Sequence, residues 1–226
     1  ENPKKEDRDI FVLSAGHKGM ARYAVLAEAG FFDKSLLDTF GHFKSPLPGH
    51  PDMHKLPGIE ASTGSLGHGM NIACGIALGK RQDGLGSRVF VIVGDGELAE
   101  GSNWEAAAIA AHYRLDNLVL FLDHNGLQIS GKTKDVMSFE PIAKHFEGFG
   151  WAAREIDGNN MAEIVAAIDS VPFEKGKPSL IVANTIKGKG FSRAENQVGY
   201  HYWNPSAEEM ALAEKELEDL LMGMRK

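Results

Sequence analysis

Two short polar stretches in this chain carry residues that could hold a cation. Gly94-Asp95-Gly96 follows the apolar run Arg88-Val89-Phe90-Val91-Ile92-Val93, and Asp123-His124-Asn125-Gly126 follows Leu118-Val119-Leu120-Phe121-Leu122. Short β-branched apolar runs of this kind read as buried strands of a parallel sheet. The segment between them, Ser102 to Arg114, is rich in Ala and a good helix former. Strand, helix and strand then lie so that Asp95 and Asn125 reach the same carboxyl edge, where open α/β sheets bind ligands. A carboxylate, an amide oxygen and a backbone carbonyl are hard oxygen donors suited to Mg²⁺ or Ca²⁺. Two such ligands leave coordination positions for the oxygens of a bound diphosphate, and Gly96, lacking a side chain, lets its N–H approach a phosphate directly. The plainer reading is that Asp, Asn and Gly merely end the strands as turn residues. Their recurrence at two consecutive exits, with Glu97, Glu100 and Glu105 close behind, favours the metal–diphosphate site.

Nine histidines give the second chemical signal. His112 and His145 fall on predicted helix faces and read as core or surface residues, while the pattern leaves His42, His54 and His124 undecided. His17 and His50 each follow a Gly, one at the exit of the first apolar run and one in a long irregular loop. Histidine there can donate to phosphate or to a developing alkoxide and can move protons near neutral pH. Lys187 and Lys189, in Lys187-Gly188-Lys189-Gly190, read equally as a phosphate clamp and as solvated charges.

The elements that must position these groups alternate. Strands are predicted at Ile10–Ser14, Arg88–Val93, Leu118–Leu122, Trp151–Ile156 and Ser179–Ala183. Helices are predicted around Met20–Glu28, Lys34–Asp38, Ser65–Arg81, Ser102–Arg114, Glu140–Phe149 and Met161–Ser170, with a last one opening at Ser206. This is an α/β chain with a mainly parallel sheet flanked by helices. Asn160 with Glu163, and Ser206 with Glu209, have the spacing of capping pairs. The last helix carries Met210, Ala213, Leu217, Leu220, Leu221 and Met224 at helical spacing with acidic residues opposite. Residues 40–69 are rich in Gly, Pro and His without periodicity, and loops this long in compact domains are usually functional or disordered. In the segment beginning at Ser65, the small residues Gly67, Gly69, Ala73, Gly75, Ala77 and Gly79 demand close packing on another backbone, within the domain or between subunits.

With 226 residues and 43% hydrophobic content, one domain spanning 1–226 is the default. The net charge of −7, without a basic cluster, argues against nucleic acid as a partner. No stretch is apolar enough for a membrane span. The single cysteine, Cys74, fits a reducing, cytoplasmic setting and reads as a buried core residue rather than a reactive thiol. The charged opening Glu1 to Asp9 has no initiator Met and runs straight into a strand, so further residues, a helical segment among them, are expected ahead of it.

Gly94-Asp95-Gly96 followed about thirty residues later by Asn125 resembles the thiamine diphosphate motif. The longer run Gly94-Asp95-Gly96-Glu97-Leu98-Ala99-Glu100-Gly101-Ser102-Asn103-Trp104-Glu105-Ala106-Ala107 resembles transketolase. The resemblance covers almost the whole chain and implies the diphosphate-binding domain fold. It implies Mg²⁺, with Ca²⁺ or Mn²⁺ as substitutes, held by Asp95, Asn125 and the main-chain carbonyl of Leu127. Leu13-Ser14-Ala15-Gly16-His17 is similar to the segment whose histidine contacts the cofactor diphosphate, and Pro48-Gly49-His50-Pro51 to the one whose histidine faces the donor sugar. The segment from Gly190 to His201 is similar to the one carrying a third active-site histidine, although Tyr202 stands where Gly is common. His17, His50 and His201 are thereby implied as catalytic. Implied cofactor contacts are His17, Gly64, Ser65, Leu66, Gly94, Asp95, Gly96, Glu97, Asn125, Leu127, Lys187 and His201. Thr63 to Gly69 is close to the thiazolium-side loop, with His68 in place of the more usual Gln, and His68 is expected to serve structure. Lys187 and Lys189 would lie in a loop over the entrance, and Glu100 and Glu105 near the subunit contact.

The activity implied is transfer of a two-carbon ketol unit from a ketose, phosphorylated or otherwise anionic, to an aldose. Full-length members continue into an aminopyrimidine-binding domain and a third domain, so this chain is expected to be inactive alone. It reads as the N-terminal subunit of a split transketolase, forming an α₂β₂ assembly with a C-terminal subunit; a truncated piece of a full-length enzyme is the other option. Two rivals remain. One is a related thiamine diphosphate enzyme subunit, of the deoxyxylulose-phosphate synthase or 2-oxoacid dehydrogenase type, which the Pro48–Pro51 and Trp104-Glu105-Ala106 contexts disfavour. The other is a non-catalytic Rossmann-like scaffold, which would have no need of the Asp95/Asn125 pair. The donor and acceptor sugars are not readable, and a branched or sulfonated sugar would leave the same sequence here.

Overall fold

The structure, a computed structural model, describes residues 5–224. In chain order, β1 (Ile10–Leu13) leads to α1 (Gly19–Glu28) and then to the irregular residues 40–67. Next come α2 (His68–Gln82), β2 (Val89–Gly94), α3 (Gly101–His112) and β3 (Leu118–His124). A hairpin of β4 (Leu127–Gln128) and β5 (Gly131–Lys132) follows, then α4 (Thr133–Val136) and α5 (Ile142–Phe149). The chain finishes with β6 (Ala152–Asp157), α6 (Met161–Asp169), β7 (Ser179–Asn184) and α7 (Ala207–Met224). Five strands form one parallel sheet in the order β1-β2-β3-β7-β6. Gly94 pairs with Asp123 and His124 with Asn184, so the exits of β2, β3 and β7 stand level at one edge.

Side chains alternate across the sheet, and apolar residues on both sides bury both faces. Val89, Val91, Val93, Leu118, Leu120 and Leu122, all 0% exposed, pack with α2, α3 and α5 through Met70, Ala73, Ala77, Ala106, Ala110 and Phe146. The opposite face puts Phe90, Val119, Phe121 and Ile181 against Ala167 of α6 and Phe173. Part of the small-residue face of α2 meets another element inside the domain, whereas Gly75 and Gly79 have open space where a Cβ would be. Cys74 Sγ lies 3.7 Å from the Ala106 carbonyl of α3, and a Cβ on Gly69 would lie 2.5 Å from Ser14. Burial pushes the Cys74 thiol up to about 12, as fits a core residue rather than a nucleophile.

Both capping pairs form. Asn160 Oδ1 accepts from Ala162 N and Glu163 N, and Ser206 and Glu209 exchange reciprocal bonds of 2.9 and 3.2 Å. The segment Lys34–Thr39 is a 3-10 helix rather than an α-helix. The predicted apolar stripe of α7 is left largely uncovered: Met210, Leu217, Leu220 and Leu221 are 45–54% exposed. The Met224 side chain, and Glu1 to Lys4 of the charged opening, lie outside the described residues. Among the described residues no helix is long and apolar enough to cross a membrane.

Candidate cofactor site

Four adjacent strands deliver their exits to one edge. β1 ends into Gly16-His17-Lys18, β2 into Asp95-Gly96, β3 into Asn125-Gly126 and β7 into Thr185-Ile186-Lys187. Asp95, 6% exposed, accepts at Oδ1 from Gly96 N (2.8 Å) and at Oδ2 from Gly126 N (2.6 Å). Its carboxylate therefore reaches from the β2 exit to the β3 exit and lies against the Asn125-Gly126 turn. The Asn125 amide is held at both ends: Oδ1 accepts from Leu127 N (3.0 Å) and Nδ2 donates to Asp123 Oδ2 (3.4 Å). Leu127, 8% exposed, opens the β4–β5 hairpin. Gly96 passes close to that hairpin, since a Cβ there would lie 2.9 Å from Gln128 Cβ.

Burial raises the Asp95 carboxyl above the usual carboxylate range, against the lowering effect of the Gly126 and Gly96 N–H groups and of His124. None of the ion pairs among the described residues includes Asp95. A buried carboxylate without a counterion, beside an amide oxygen that retains a second lone pair, is a donor set that fits a hard divalent cation. Among the described residues no group of three or more His, Cys, Asp and Glu could hold a metal. A set of one carboxylate, one amide oxygen and one main-chain carbonyl is different in kind and suits oxygen-seeking cations.

Close backbone contact brings the histidines to the same edge. A Cβ on Gly16 would sit 2.3 Å from the Thr63 carbonyl oxygen, and Thr63 Oγ1 donates to the Leu13 carbonyl at 2.6 Å. The β1 exit and the Thr63–Leu66 loop are thus pressed together. His50 lies over that loop, its Cδ2 3.1 Å from where a Cβ of Gly64 would be. The rings of His17 and His201 are 5.6 Å apart, and His201 Nδ1 is buried without a hydrogen-bond partner. His17 is pushed down to about 4 by burial first, then by Lys18, His201, Lys187 and His50. His201 is lowered by burial and by Lys187 and Lys18. Lys187 is lowered by burial and Lys18, against the pull of Asp123 and Asp95. His17 is itself exposed, so it can meet a ligand as a neutral N–H donor. Lys18 and Lys187 beside the His17 and His201 rings favour a bound anion such as a diphosphate.

The structure thus gathers His17, His50, Gly64, Asp95, Gly96, Asn125, Leu127, Lys187 and His201. Gly94 is buried at the end of β2, Leu66 is half-buried, and Ser65 is exposed on the loop leading to α2. Glu97, expected among the cofactor contacts, lies instead beneath the site at 3% exposure. Its Oε1 accepts from Ser14 Oγ (2.5 Å) and Gly67 N (2.9 Å), and its Oε2 from Gly94 N (3.2 Å). With both oxygens occupied by the chain's own donors, it ties three loops together rather than facing a ligand. His124 is held by Asn184 Oδ1 and Glu140 Oε1, each at 2.8 Å, and His68 Nδ1 lies 3.1 Å from the Leu66 carbonyl. His112 and Glu105 lie on α3 and His145 on α5, Glu100 in the turn before α3 packs on Gly67 (2.6 Å from the position of a Cβ there), and Lys189 pairs with Glu195 at 3.4 Å. Lys18, Asp123 and Thr185 were not singled out by the sequence pattern. Lys18 and Asp123 form an ion pair, and Thr185 Oγ1 donates to Asp123 Oδ1 at 2.5 Å. The available signals were adjacency alone, Lys18 to His17 and Asp123 to Asn125.

Fold and edge together describe an α/β domain of the diphosphate-binding type. The family described as transketolase, thiamine diphosphate binding domain, matches residues 1–218, and the chain belongs to it. It is 44% identical over 213 residues to a subunit of the apulose-4-phosphate transketolase of Actinobacillus succinogenes, covering 94% of this chain and 77% of that protein. It is 44% identical over 217 residues to the 6-deoxy-6-sulfo-D-fructose transketolase subunit SqwG of Clostridium sp. (strain MSTE9), covering 96% of this chain and 79% of that one. Among solved structures it is similar to the Pichia stipitis transketolase in complex with sedoheptulose 7-phosphate. There the TM-score is 0.90 and the identity 32%, over 96% of this chain and 34% of that one. The Campylobacter jejuni transketolase gives a TM-score of 0.89 at 31% identity, over 96% and 35%. The chain therefore spans about a third of the length of those solved transketolases.

Proposed function

We propose that this chain is the diphosphate-binding subunit of a two-subunit transketolase, transferring a two-carbon ketol unit from an anionic ketose to an aldose. The observation that carries the reading is the Asp95 carboxylate, buried without a counterion and bonded to the Asn125-Gly126 turn. Asp95, Asn125 and the Leu127 carbonyl would hold Mg²⁺, and Gly96, His17 and Lys187 would meet the diphosphate. Thiamine diphosphate, when bound, supplies the carbanion chemistry that cleaves the ketose C–C bond. His50 and His201 would orient the sugar hydroxyls and donate to the oxygen that gains charge during cleavage. His17, neutral at physiological pH, donates a hydrogen bond there without adding charge.

The split assembly is supported by relatives named as subunits, of which this chain covers about four-fifths. An α₂β₂ assembly in the cytoplasm, with the complementary subunit supplying the aminopyrimidine-binding domain, is part of the same proposal. An anionic donor is supported by the phosphate and sulfo groups in those relatives' names. Calorimetry with Mg²⁺ and thiamine diphosphate, run with and without the complementary subunit, tests the reading. Binding that needs both subunits, is lost in Asp95→Ala and survives in His112→Ala is expected. Binding that is unchanged in Asp95→Ala would overturn the ligand assignment, and no binding by the wild type in either setting would leave a scaffold.

A further inference from the structure

We propose that Lys18 is a positioning residue for the cation site, acting through Asp123 on the Asn125 amide. The proposal rests on reading Asp95 and Asn125 as cation ligands. Lys18 stands between β1 and α1, and Asp123 is the next-to-last residue of β3, 105 positions later. Their ion pair is half-buried, each side chain being 27% exposed. Asp123 Oδ2 takes both the Lys18 ammonium and Asn125 Nδ2, while Oδ1 accepts from Thr185 Oγ1 at the β7 exit. One carboxylate thus ties the exits of β1, β3 and β7, and one of its bonds goes to Asn125.

That bond decides which way the amide faces. Turned the other way, Asn125 would set its oxygen against the Asp123 carboxylate and its NH₂ against the Leu127 N–H. Acceptor would meet acceptor and donor would meet donor. Asp123 on one side and Leu127 N–H on the other therefore hold the amide oxygen on the Leu127 side, with one lone pair free for a cation. Lys18, on the oxygen that also takes Asn125 Nδ2, holds Asp123 in that pose together with Thr185 on the other oxygen. Its ammonium also crosses the β2 exit, 3.6 Å from the position of a Cβ on Gly94. Groups that orient metal ligands from behind matter to affinity although they never touch the metal.

The test uses the chain saturated with thiamine diphosphate in its assembly with the complementary subunit. Mg²⁺ is titrated calorimetrically into wild type, Lys18→Met, Lys18→Arg, Asp123→Asn and the Lys18→Met/Asp123→Asn double variant. Lys18→Met and Asp123→Asn are each expected to weaken Mg²⁺ about tenfold, the low end for loss of an orienting partner. The double variant should be no worse than the weaker single one, and Lys18→Arg should restore the affinity. A merely structural lysine would lower the melting temperature of the cation-free protein and leave the Mg²⁺ affinity unmoved. Unchanged or tighter Mg²⁺ binding in Lys18→Met, or additive losses in the double variant, overturns the proposal. Asp95→Ala separates the two levels. If it keeps cation-dependent cofactor binding, the ligand assignment fails and the role of Lys18 fails with it. If it loses binding while Lys18→Met matches wild type, only the present proposal fails.

Discussion

Removing the Glu97 carboxylate should cost a large fraction of the stability of this domain. Glu97 is 3% exposed and satisfies Ser14 Oγ, Gly67 N and Gly94 N, groups from the β1 exit, the start of α2 and the end of β2. Hydrogen bonds to a charged acceptor are worth about 1.5–3 kcal/mol each. In Glu97→Ala the Ser14 hydroxyl can rotate away, but the two backbone N–H groups cannot, and a cavity opens. Leaving those two buried N–H groups unpaired costs about 1–3 kcal/mol each before the cavity is counted, against a typical total of about 5–15 kcal/mol. Glu97→Gln keeps the shape. Its oxygen can serve Ser14 and Gly67, but its NH₂ then faces Gly94 N–H, the longest of the three contacts, at a cost of about 1–3 kcal/mol. Urea unfolding followed by tryptophan fluorescence reads both variants, since Trp104 Nε1 donates to the carbonyl of the neighbouring Leu98 at 2.9 Å. The expected order of stability is wild type, Gln, Ala. A loss below about 1 kcal/mol in Glu97→Ala, the range of an ordinary surface change, would refute the reasoning.

Gly16→Ala should destabilise by at least about 1–3 kcal/mol, because the new Cβ would stand 2.3 Å from a backbone oxygen that no rotamer change can move; thermal or urea unfolding reads it, and a neutral result would mean that the two loops are not pressed together. The His17 imidazole should titrate near 4 in the folded chain against 6.5 when exposed, which an NMR pH titration measures directly. Between those values the unfolded form binds more protons, so the stability owed to neutral His17 is complete above 6.5 and is lost as the pH falls towards 4. His17→Gln should flatten stability against pH over that window, and titration of His17 at 6.5 or above would contradict its partial burial and the cluster of Lys18, His201 and Lys187 around it.

Local pattern made the sheet legible. All five strands lie where the sequence places them; β2, β3 and β7 are short apolar runs ended by Gly, Asp or Asn, whereas β6, with Arg154 and Glu155, is recognised mainly from its place between helices. Asp95 and Asn125 were legible for the same reason, since each is the polar residue at a strand exit and the helix between them fixes the two exits side by side. The inward direction of Glu97 was not legible, because the pattern gives its position along the chain but not where its side chain points. Only the packed loops show Ser14 and Gly67 filling its oxygens. The Lys18–Asp123 pair and the β4–β5 hairpin were missed because long-range pairing leaves no periodic trace, and two-residue strands have no period to detect. The α7 stripe shows the converse: helical spacing was legible, but it does not say what, if anything, covers the face.

The most direct measurement is the position of the cation itself. Crystals of the chain assembled with its complementary subunit, grown with thiamine diphosphate and Mn²⁺ in place of Mg²⁺, would give an anomalous peak at the manganese wavelength. The peak should fall within metal–oxygen bonding distance of an oxygen of Asp95, the Asn125 amide oxygen and the Leu127 carbonyl. A peak bound elsewhere, or one reached by only one of those side chains, would contradict the account at its centre.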